Sequence, residues 1–512
     1  VAEGMASPLS VMGSIFAASL AIVFLNLLEN LIWKPARLRK KLRMQGIHGP
    51  PPSFLLGNIL EMRNNHHRHA EQLPVNHTYV SSLFPFFEKW RNTYGETFMF
   101  SMGNIQMLFV SNPHMVREIA TSTSLHLGKP SYQRRILGAL LGEGVLTSNG
   151  ESWLHQRRIL APELYMERVK DMMKMMTETA MEVVDSWRAI VKADGEEAEV
   201  EIDGFMRTFS GDVISKACFG SNYSEGENIF LKLRELQDIM SRQFFFWQTA
   251  LLRNVPTKSN RQAWKLEREV KEMILEIARE RMGAPYQQKD LLQMILDASD
   301  SEDSLQAKEK FVVDNCKNVY LAGYETTAVS ATWTLMLLAS HPSWQERLRV
   351  EVAETTGGKS PDGNSIRKMK YLAMVINESL RLYPPAPIIS REALSGMPLG
   401  SLYLPKGVNL WIPVASLHLD PELWGPRAHE FRPERFANGV AGASKNFGLY
   451  MPFGVGPRTC MGQHFALAEL KILLATVVSN FSFTLSPRYK HAPTSRLVTQ
   501  PEHGVHLLIK KI

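Results

Sequence analysis

The sequence predicts a mainly α-helical protein with small β-sheets, preceded by a single N-terminal transmembrane helix. Three observations carry this. Met5–Leu28 (MASPLSVMGSIFAASLAIVFLNLL) contains no charged residue. Val169–Val191, Gln262–Met282 and Ala307–Ala339 read as long amphipathic helices, because apolar residues recur at helical spacing. Strand-like runs are few and short, near Thr97–Val110, Leu402–Ile412 and Gly504–Ile509, and no β-α-β alternation with a glycine fingerprint accompanies them.

The chain of 512 residues is 45% apolar and 21% charged, which suits a large folded core and excludes wholesale disorder. Its 3 cysteines (Cys218, Cys316, Cys460) cannot build a disulfide framework, so the folded part is expected in a reducing compartment. A net charge of +7 admits nucleic acid, anionic lipid or an acidic protein as partner. No nucleic-acid motif, fixed-period repeat or heptad array is present, and no nucleic-acid partner is expected.

At about 1.5 Å per residue, Met5–Leu28 reaches about 36 Å, enough to cross a hydrocarbon core of about 30 Å. WKPARLRKKLR follows, with Lys34, Arg37, Arg39, Lys40, Lys41 and Arg43. Cationic flanks stay in the cytosol, so residues 1–33 are expected to be an uncleaved membrane anchor. A cleaved signal peptide would carry its basic residues before the apolar run, where this chain has Glu3. The chain opens on Val1 rather than Met, and whether Val1–Gly4 are native is left open. GIHGPPP (Gly46–Pro52) closes a basic, proline-rich connector over 34–52, too rich in proline to continue a helix. Residues 53–512 read as one large helical domain with small sheets, with no composition shift to mark a boundary inside it. NNHHRH (Asn64–His69) lacks accompanying ligands at metal spacing and reads as a solvated loop. Glycosylation triplets at Asn76 and Asn222 would be silent on a cytosolic domain. Gly142-Glu143-Gly144 opens no helix after a strand, so no nucleotide site is expected there.

The stretch PFGVGPRTCMG (Pro452–Gly462) sets Cys460 in a loop with Gly454, Gly456 and Gly462, glycines that let a backbone turn sharply and let a flat group approach. The apolar run after it reads as a helix, so Cys460 is expected at a helix N-terminus, where the dipole favours the thiolate. A metal-binding thiolate, a nucleophile and a buried structural cysteine all remain open on the residue alone.

Phe453, Gly456, Arg458, Cys460 and Gly462 fit F-x-x-G-x-R-x-C-x-G. This resembles the haem-binding loop of the cytochrome P450 superfamily, the haem-thiolate monooxygenases. The resemblance implies the cytochrome P450 fold, with Cys460 as axial ligand of haem b iron, Arg458 on a haem propionate and Phe453 packed on the loop. A thiolate ligand pushes electron density to iron and favours O–O cleavage. AGYETT (Ala322–Thr327) lies inside a long helix, where Gly323 would make room for O2, and Glu325 and Thr326 resemble the family's acid–alcohol proton relay. Alone these residues read better as an ordinary helix with a packing glycine and surface polar residues; the cysteine loop reverses that preference. ESLR (Glu378–Arg381) and FRPERF (Phe431–Phe436) resemble the structural triad, here Glu378, Arg381 and Arg435. Trp153 and Arg157 in WLHQR, and Arg391 after the triad helix, match propionate contacts. Cys218 and Cys316 read as core residues.

The resemblance covers the chain from the proline connector to the end. It implies a single-pass protein of the endoplasmic reticulum membrane facing the cytosol. O2 is its co-substrate, and its electrons come from NADPH through a separate flavoprotein, NADPH–cytochrome P450 reductase. The anchor, the GPPP connector, AGYETT and VISKACFGSNYSEG (Val213–Gly226) resemble a plant microsomal branch acting on terpenoids. Substrates implied are gibberellin-type diterpenoids or pentacyclic triterpenoid acids, with brassinosteroids as an alternative. By the same analogy Leu125–Leu141, Met240–Leu252, Val319, Tyr320, Ala386–Ile389, Arg496 and Leu497 line the pocket. Arg134, Arg135 or Arg496 would hold a substrate carboxylate, and the aromatic stretch Ser241–Arg253 is either an entry lid or core. The competing readings are a reductase-independent enzyme rearranging hydroperoxides and a non-catalytic haem protein.

Overall fold

Helix α1 (Pro8–Leu28) leaves apolar side chains uncovered among the described residues: Ile15, Phe16, Ile22 and Phe24 are all exposed. Among the described residues it begins the one helical stretch long and apolar enough to cross a membrane. The structure is a computed structural model that describes residues 8–66, 75, 77–220, 223–243, 255–283, 290–444 and 448–512. Half of the histidine-rich stretch (67–69), both candidate glycosylated asparagines and most of the aromatic segment Ser241–Arg253 lie outside them.

A π-helical turn (Glu29–Trp33) joins α1 to the basic α2 (Lys34–Arg43), and Arg37 pairs with Glu29 across the junction. The connector is docked on the body. Met99 N–H donates to His48 O (2.9 Å), and a Cβ on Gly49 would lie 1.7 Å from Met99 O, so only glycine fits there.

The strands are β1 (Thr97–Met102), β2 (Ile105–Val110), β3 (Leu127–Gly128), β4 (Glu197–Glu201), β5 (Ile389–Ala393) and β6 (Met397–Leu399). They continue with β7 (Leu402–Leu404), β8 (Asn409–Ile412), β9 (Phe481–Leu485), β10 (Pro493–Arg496), β11 (Val498–Pro501) and β12 (His506–Lys511). A mixed sheet runs β1-β2-β8-β5-β3, with β2 parallel to β8 and the other pairs antiparallel. β12 lies between β4 and β9, and β6–β7 and β10–β11 are two-stranded. The run Leu402–Ile412 therefore splits between two sheets, because Pro405 and Gly407 (φ +88°) turn the chain between β7 and β8. Phe98 and Phe109, opposite one another on β1 and β2, stack at 4.5 Å.

The helices that build the site are α3 (Gly138–Leu141), α4 (Gly150–Leu160), α5 (Met166–Asp194), α6 (Ile202–Phe219), α7 (Tyr223–Gln243) and α8 (Lys258–Gly283). After them come α9 (Leu305–Ala339), α10 (Lys370–Leu382) and α11 (Gln463–Asn480). α5 and α8 bury one stripe each, such as Val169, Met173, Met176, Ala180, Val184 and Trp187 on α5. α9 departs from the amphipathic expectation. Ser304 caps its start, and from Tyr324 to Ala339 nearly every side chain is buried, because helices and strands enclose it on all sides. Cys218 and Cys316 are buried, as a core reading requires.

Candidate functional site

The cysteine loop is shaped by two glycines. Gly454 (φ +73°) and Gly456 (φ +71°) sit in the left-handed region, and a Cβ on Gly456 would lie 2.5 Å from Ala120 O. Cys460 N–H donates to Phe453 O (2.8 Å), closing the loop, and the half-buried Phe453 packs on the core. Gly462 differs from expectation: its φ of −85° suits any residue, so it makes no turn, and nothing lies within 4 Å of where its side chain would be. α11 begins at Gln463, so Cys460 precedes the N-cap rather than occupying it.

The Cys460 side chain is accessible, yet surrounding protein desolvates its thiolate. It faces a recess rather than the outer surface. Burial is the largest influence and pushes the thiol up, against the lowering expected from the helix start. The Gly462 backbone N–H and the Arg157 guanidinium oppose it.

Around the loop the fold gathers cations. Arg458 stacks on Trp153 (4.2 Å to the ring centroid), and Arg157, one turn along α4, lies 5.6 Å from the same ring. Arg157 Nη2 donates to Thr459 O (2.9 Å); Arg458 Nη2 donates to Ser148 O (3.0 Å) and Asn149 Oδ1 (2.8 Å). Arg458 Nη1 is buried with no partner among the described residues. Arg391, on β5, is buried and among the described residues donates only to Ser390 O. Lys129 completes the group. Burial pushes Arg391 down to about 10, burial with Arg391 and Arg157 pushes Arg458 down to about 9, and burial with Arg391 and Arg458 pushes Lys129 down to about 7. No carboxylate pairs with any of the four among the described residues. A buried cationic cluster of this kind requires an anion. A flat group with two carboxylates that accepts a thiolate ligand fits these residues, and haem is such a group. Lys129 was not singled out from sequence, because nothing local distinguishes it from a surface lysine.

The triad residues meet. Arg381 Nε and Nη2 donate to Glu378 Oε2 (2.7 Å) and Oε1 (2.8 Å), and Arg435 Nε donates to Glu378 Oε1 (3.3 Å). Glu378 and Arg381 are fully buried, and Arg381 also donates to the carbonyls of His418 (2.7 Å), Ala428 (2.5 Å) and Glu430 (3.2 Å). A further residue extends this network. His418, fully buried, accepts at Nε2 from Met451 N–H (3.0 Å), so its Nδ1 carries the hydrogen and donates to Arg381 O (3.2 Å). It thus ties the triad helix to the backbone two residues before Phe453. Burial, then Arg381, pushes His418 down to about 3, so it is neutral.

On α9, Glu325 and Thr326 are adjacent, but no hydrogen bond links their side chains. Glu325 is buried against α6, with Arg207 Nε 3.7 Å away and Asp203 behind it at 3.8 Å from Arg207. Burial pushes the Glu325 carboxyl up, and Arg207 and Arg234 oppose the shift. Thr326 Oγ1 donates back to Ala322 O (2.6 Å). Gly323 faces α6. A Cβ there would meet Ile214 Cδ1 of α6 at 2.5 Å, so the glycine serves close packing of α9 on α6.

Arg134 and Arg135 line a separate cleft of about 500 Å³ with Lys271, Lys310 and Asp314, and Arg134 pairs there with Glu143 (3.4 Å). No residue of the cysteine loop borders it. Arg496 lies 4.0 Å from Asp238. Of the expected pocket wall, Tyr320 packs edge-on against Phe230 of α7 (4.9 Å).

A sequence profile described as Cytochrome P450 matches residues 48–508. Cytochrome P450 714C2 of Oryza sativa subsp. japonica is 48% identical over 505 residues, covering 96% of this chain and 97% of that protein. Cytochrome P450 714B2 of the same plant is 45% identical over 506 residues (95% and 94%). Cytochrome P450 714A2 of Arabidopsis thaliana is 41% identical over 485 residues (92% of each). With a thiol recess, an anion-seeking cluster and a matching profile over nearly its whole length, the chain belongs to the cytochrome P450 family of haem-thiolate monooxygenases.

Proposed function

We propose that this enzyme inserts one oxygen atom from O2 into a hydrophobic terpenoid, a gibberellin-type diterpenoid or a pentacyclic triterpenoid acid. The observation that carries the site assignment is the cluster of Lys129, Arg157, Arg391 and Arg458, two of them on the Trp153 ring, with no carboxylate pairing with any of the four among the described residues. Cys460 would hold the haem iron, and the cluster its two propionates. When bound, haem supplies the O2 activation that no side chain can perform. Glu378, Arg381, Arg435 and His418 hold the backbone that presents Cys460. Glu325 would hold a proton at its carboxyl beside Arg207, and Thr326 would pass one at its hydroxyl. The terpenoid assignment rests on the sequence resemblance to a plant branch and on the largely apolar segments expected to line the pocket. Electrons would come from NADPH through a separate membrane-bound reductase docking through acidic groups. The anchor would hold the protein in the endoplasmic reticulum membrane with the site facing the cytosol.

The test is a product screen in yeast microsomes carrying a plant reductase, supplied with NADPH. Gibberellins, ent-kaurenoid acids, brassinosteroids and pentacyclic triterpenoid acids are offered in turn, with Cys460→Ala as control. A product heavier by one oxygen, absent from the control, supports the reading. Intact haem with no product from any class refutes the terpenoid assignment.

A further inference from the structure

One turn of α9 has polar side chains in the interior that serve neither the cysteine loop nor Glu325. Asp314, Asn315, Lys317 and Asn318 are all buried, and all four bind the backbone of residues 139–146. Lys317 Nζ donates to Ala139 O (3.2 Å) and Asn318 Nδ2 donates to Leu141 O (2.6 Å). In the other direction, Glu143 N–H donates to Asp314 Oδ2 (2.8 Å), Val145 N–H to Asn315 Oδ1 (3.2 Å) and Leu146 N–H to Asn318 Oδ1 (2.7 Å). The fit leaves no slack. A Cβ on Gly142 would lie 2.0 Å from Asp314 Oδ1, and one on Gly144 would lie 2.6 Å from Asn318 Oδ1. Lys310 (2.6 Å) and Lys317 (3.3 Å) hold the Asp314 carboxylate in place.

The same stretch reaches the cationic cluster. Gln156 of α4 donates to Glu143 O (3.2 Å), and Arg458 donates to Ser148 O and Asn149 Oδ1. One loop therefore connects α9 to Trp153 and Arg458. Its first part, α3, presents its terminal carbonyls to Lys317 and Asn318, and those carbonyls have no helical partner of their own.

We propose that Asn318, with Lys317, is a positioning residue for the pocket: by holding the carbonyls of Ala139 and Leu141 and the amide of Leu146, it sets the wall that a bulky ligand meets. This rests on the reading above that Leu125–Leu141 lines the pocket over haem. Asn318 bonds to Leu141 and Leu146 and to no residue of the cysteine loop among the described residues, so it would act on ligand size rather than on the metal.

The experiment is spectral titration of the full-length ferric holoenzyme with two iron-ligating probes, imidazole and the bulky azole clotrimazole. Loss of two buried hydrogen bonds in Asn318→Ala is expected to shift the clotrimazole Kd about tenfold, leaving the imidazole Kd and haem content within about twofold. Asn318→Asp keeps the acceptor for Leu146 N–H and loses the donor to Leu141 O, and should fall between. If Asn318→Ala does not retain haem, Asn318→Asp and Gly144→Ala carry the test, with the same split between probes expected. Equal shifts for both probes, or none for either, overturn the proposal. A parent protein that binds neither azole overturns the haem reading, and this proposal with it.

Discussion

Replacing His418 by glutamine tests whether one neutral imidazole holds the cysteine loop to its foundation. His418 donates to Arg381 O and accepts from Met451 N–H, both inside the protein. Glutamine can supply one donor and one acceptor, imperfectly placed, so a loss of about 1–2 kcal/mol is expected at neutral pH. The acid response is the sharper measurement. The folded-state value of His418 is depressed to about 3 from an ordinary 6.5, so the folded protein binds fewer protons than the unfolded chain between those values. Its contribution is fully present above pH 6.5 and is lost as pH falls toward 3, costing about 2 kcal/mol at pH 5 and about 3 kcal/mol at pH 4. His77, at about 3, and His491, at about 4, are depressed chiefly by burial and add similar amounts. Together they consume most of an ordinary stability of about 5–15 kcal/mol by pH 4. Thermal melts of parent and His418→Gln in detergent, from pH 7.5 to 4.5, should show a shallower acid decline in the variant, smaller by about 2 kcal/mol at pH 5. The ferrous–carbon monoxide spectrum, which reports thiolate ligation, should hold to lower pH in parallel. Equal slopes in parent and variant would refute the reasoning.

Three further outcomes are expected. Lys129→Met removes a desolvated cation that no carboxylate offsets among the described residues, so the haem-free protein should melt higher while haem transfers faster to apomyoglobin; a lower melt or slower transfer contradicts the cluster's role. Arg207→Ala takes the nearest cation from Glu325, pushing its carboxyl further up. The acid limb of product formed per NADPH should then move to higher pH, and adding Glu325→Gln should abolish the shift. Gly323→Ala drives a methyl into Ile214 and should cost about 1–3 kcal/mol in thermal stability, a penalty that Ile214→Ala relieves. If the penalty persists in that background, Gly323 does not act through packing on α6.

Several features needed only local sequence. The uncharged run ahead of a basic segment marks α1 because a membrane span depends on composition and length. α5 and α8 were legible because a helix surface repeats every few residues. The spacing around Cys460 identified the loop because its turns, at Gly454 and Gly456, are set by neighbours in the chain. What the tertiary structure decided depends on residues far apart in sequence. Lys129, Arg391 and Arg458 become one anion-seeking cluster only when β3, β5 and the cysteine loop meet, and no local signal marks Lys129. His418 gains its role from Met451 and Arg381 on other elements. Glu325 and Thr326 are neighbours in the chain, yet the buried Glu325 faces Arg207 of α6 while Thr326 bonds back to its own helix. α9 has helical propensity written in its sequence, but its burial on nearly all faces follows from what packs around it. Short-range geometry is fixed by each residue's own backbone and neighbours. Charge state and hydrogen-bond partners are fixed by what is excluded from water, and that is settled only when the whole chain is folded.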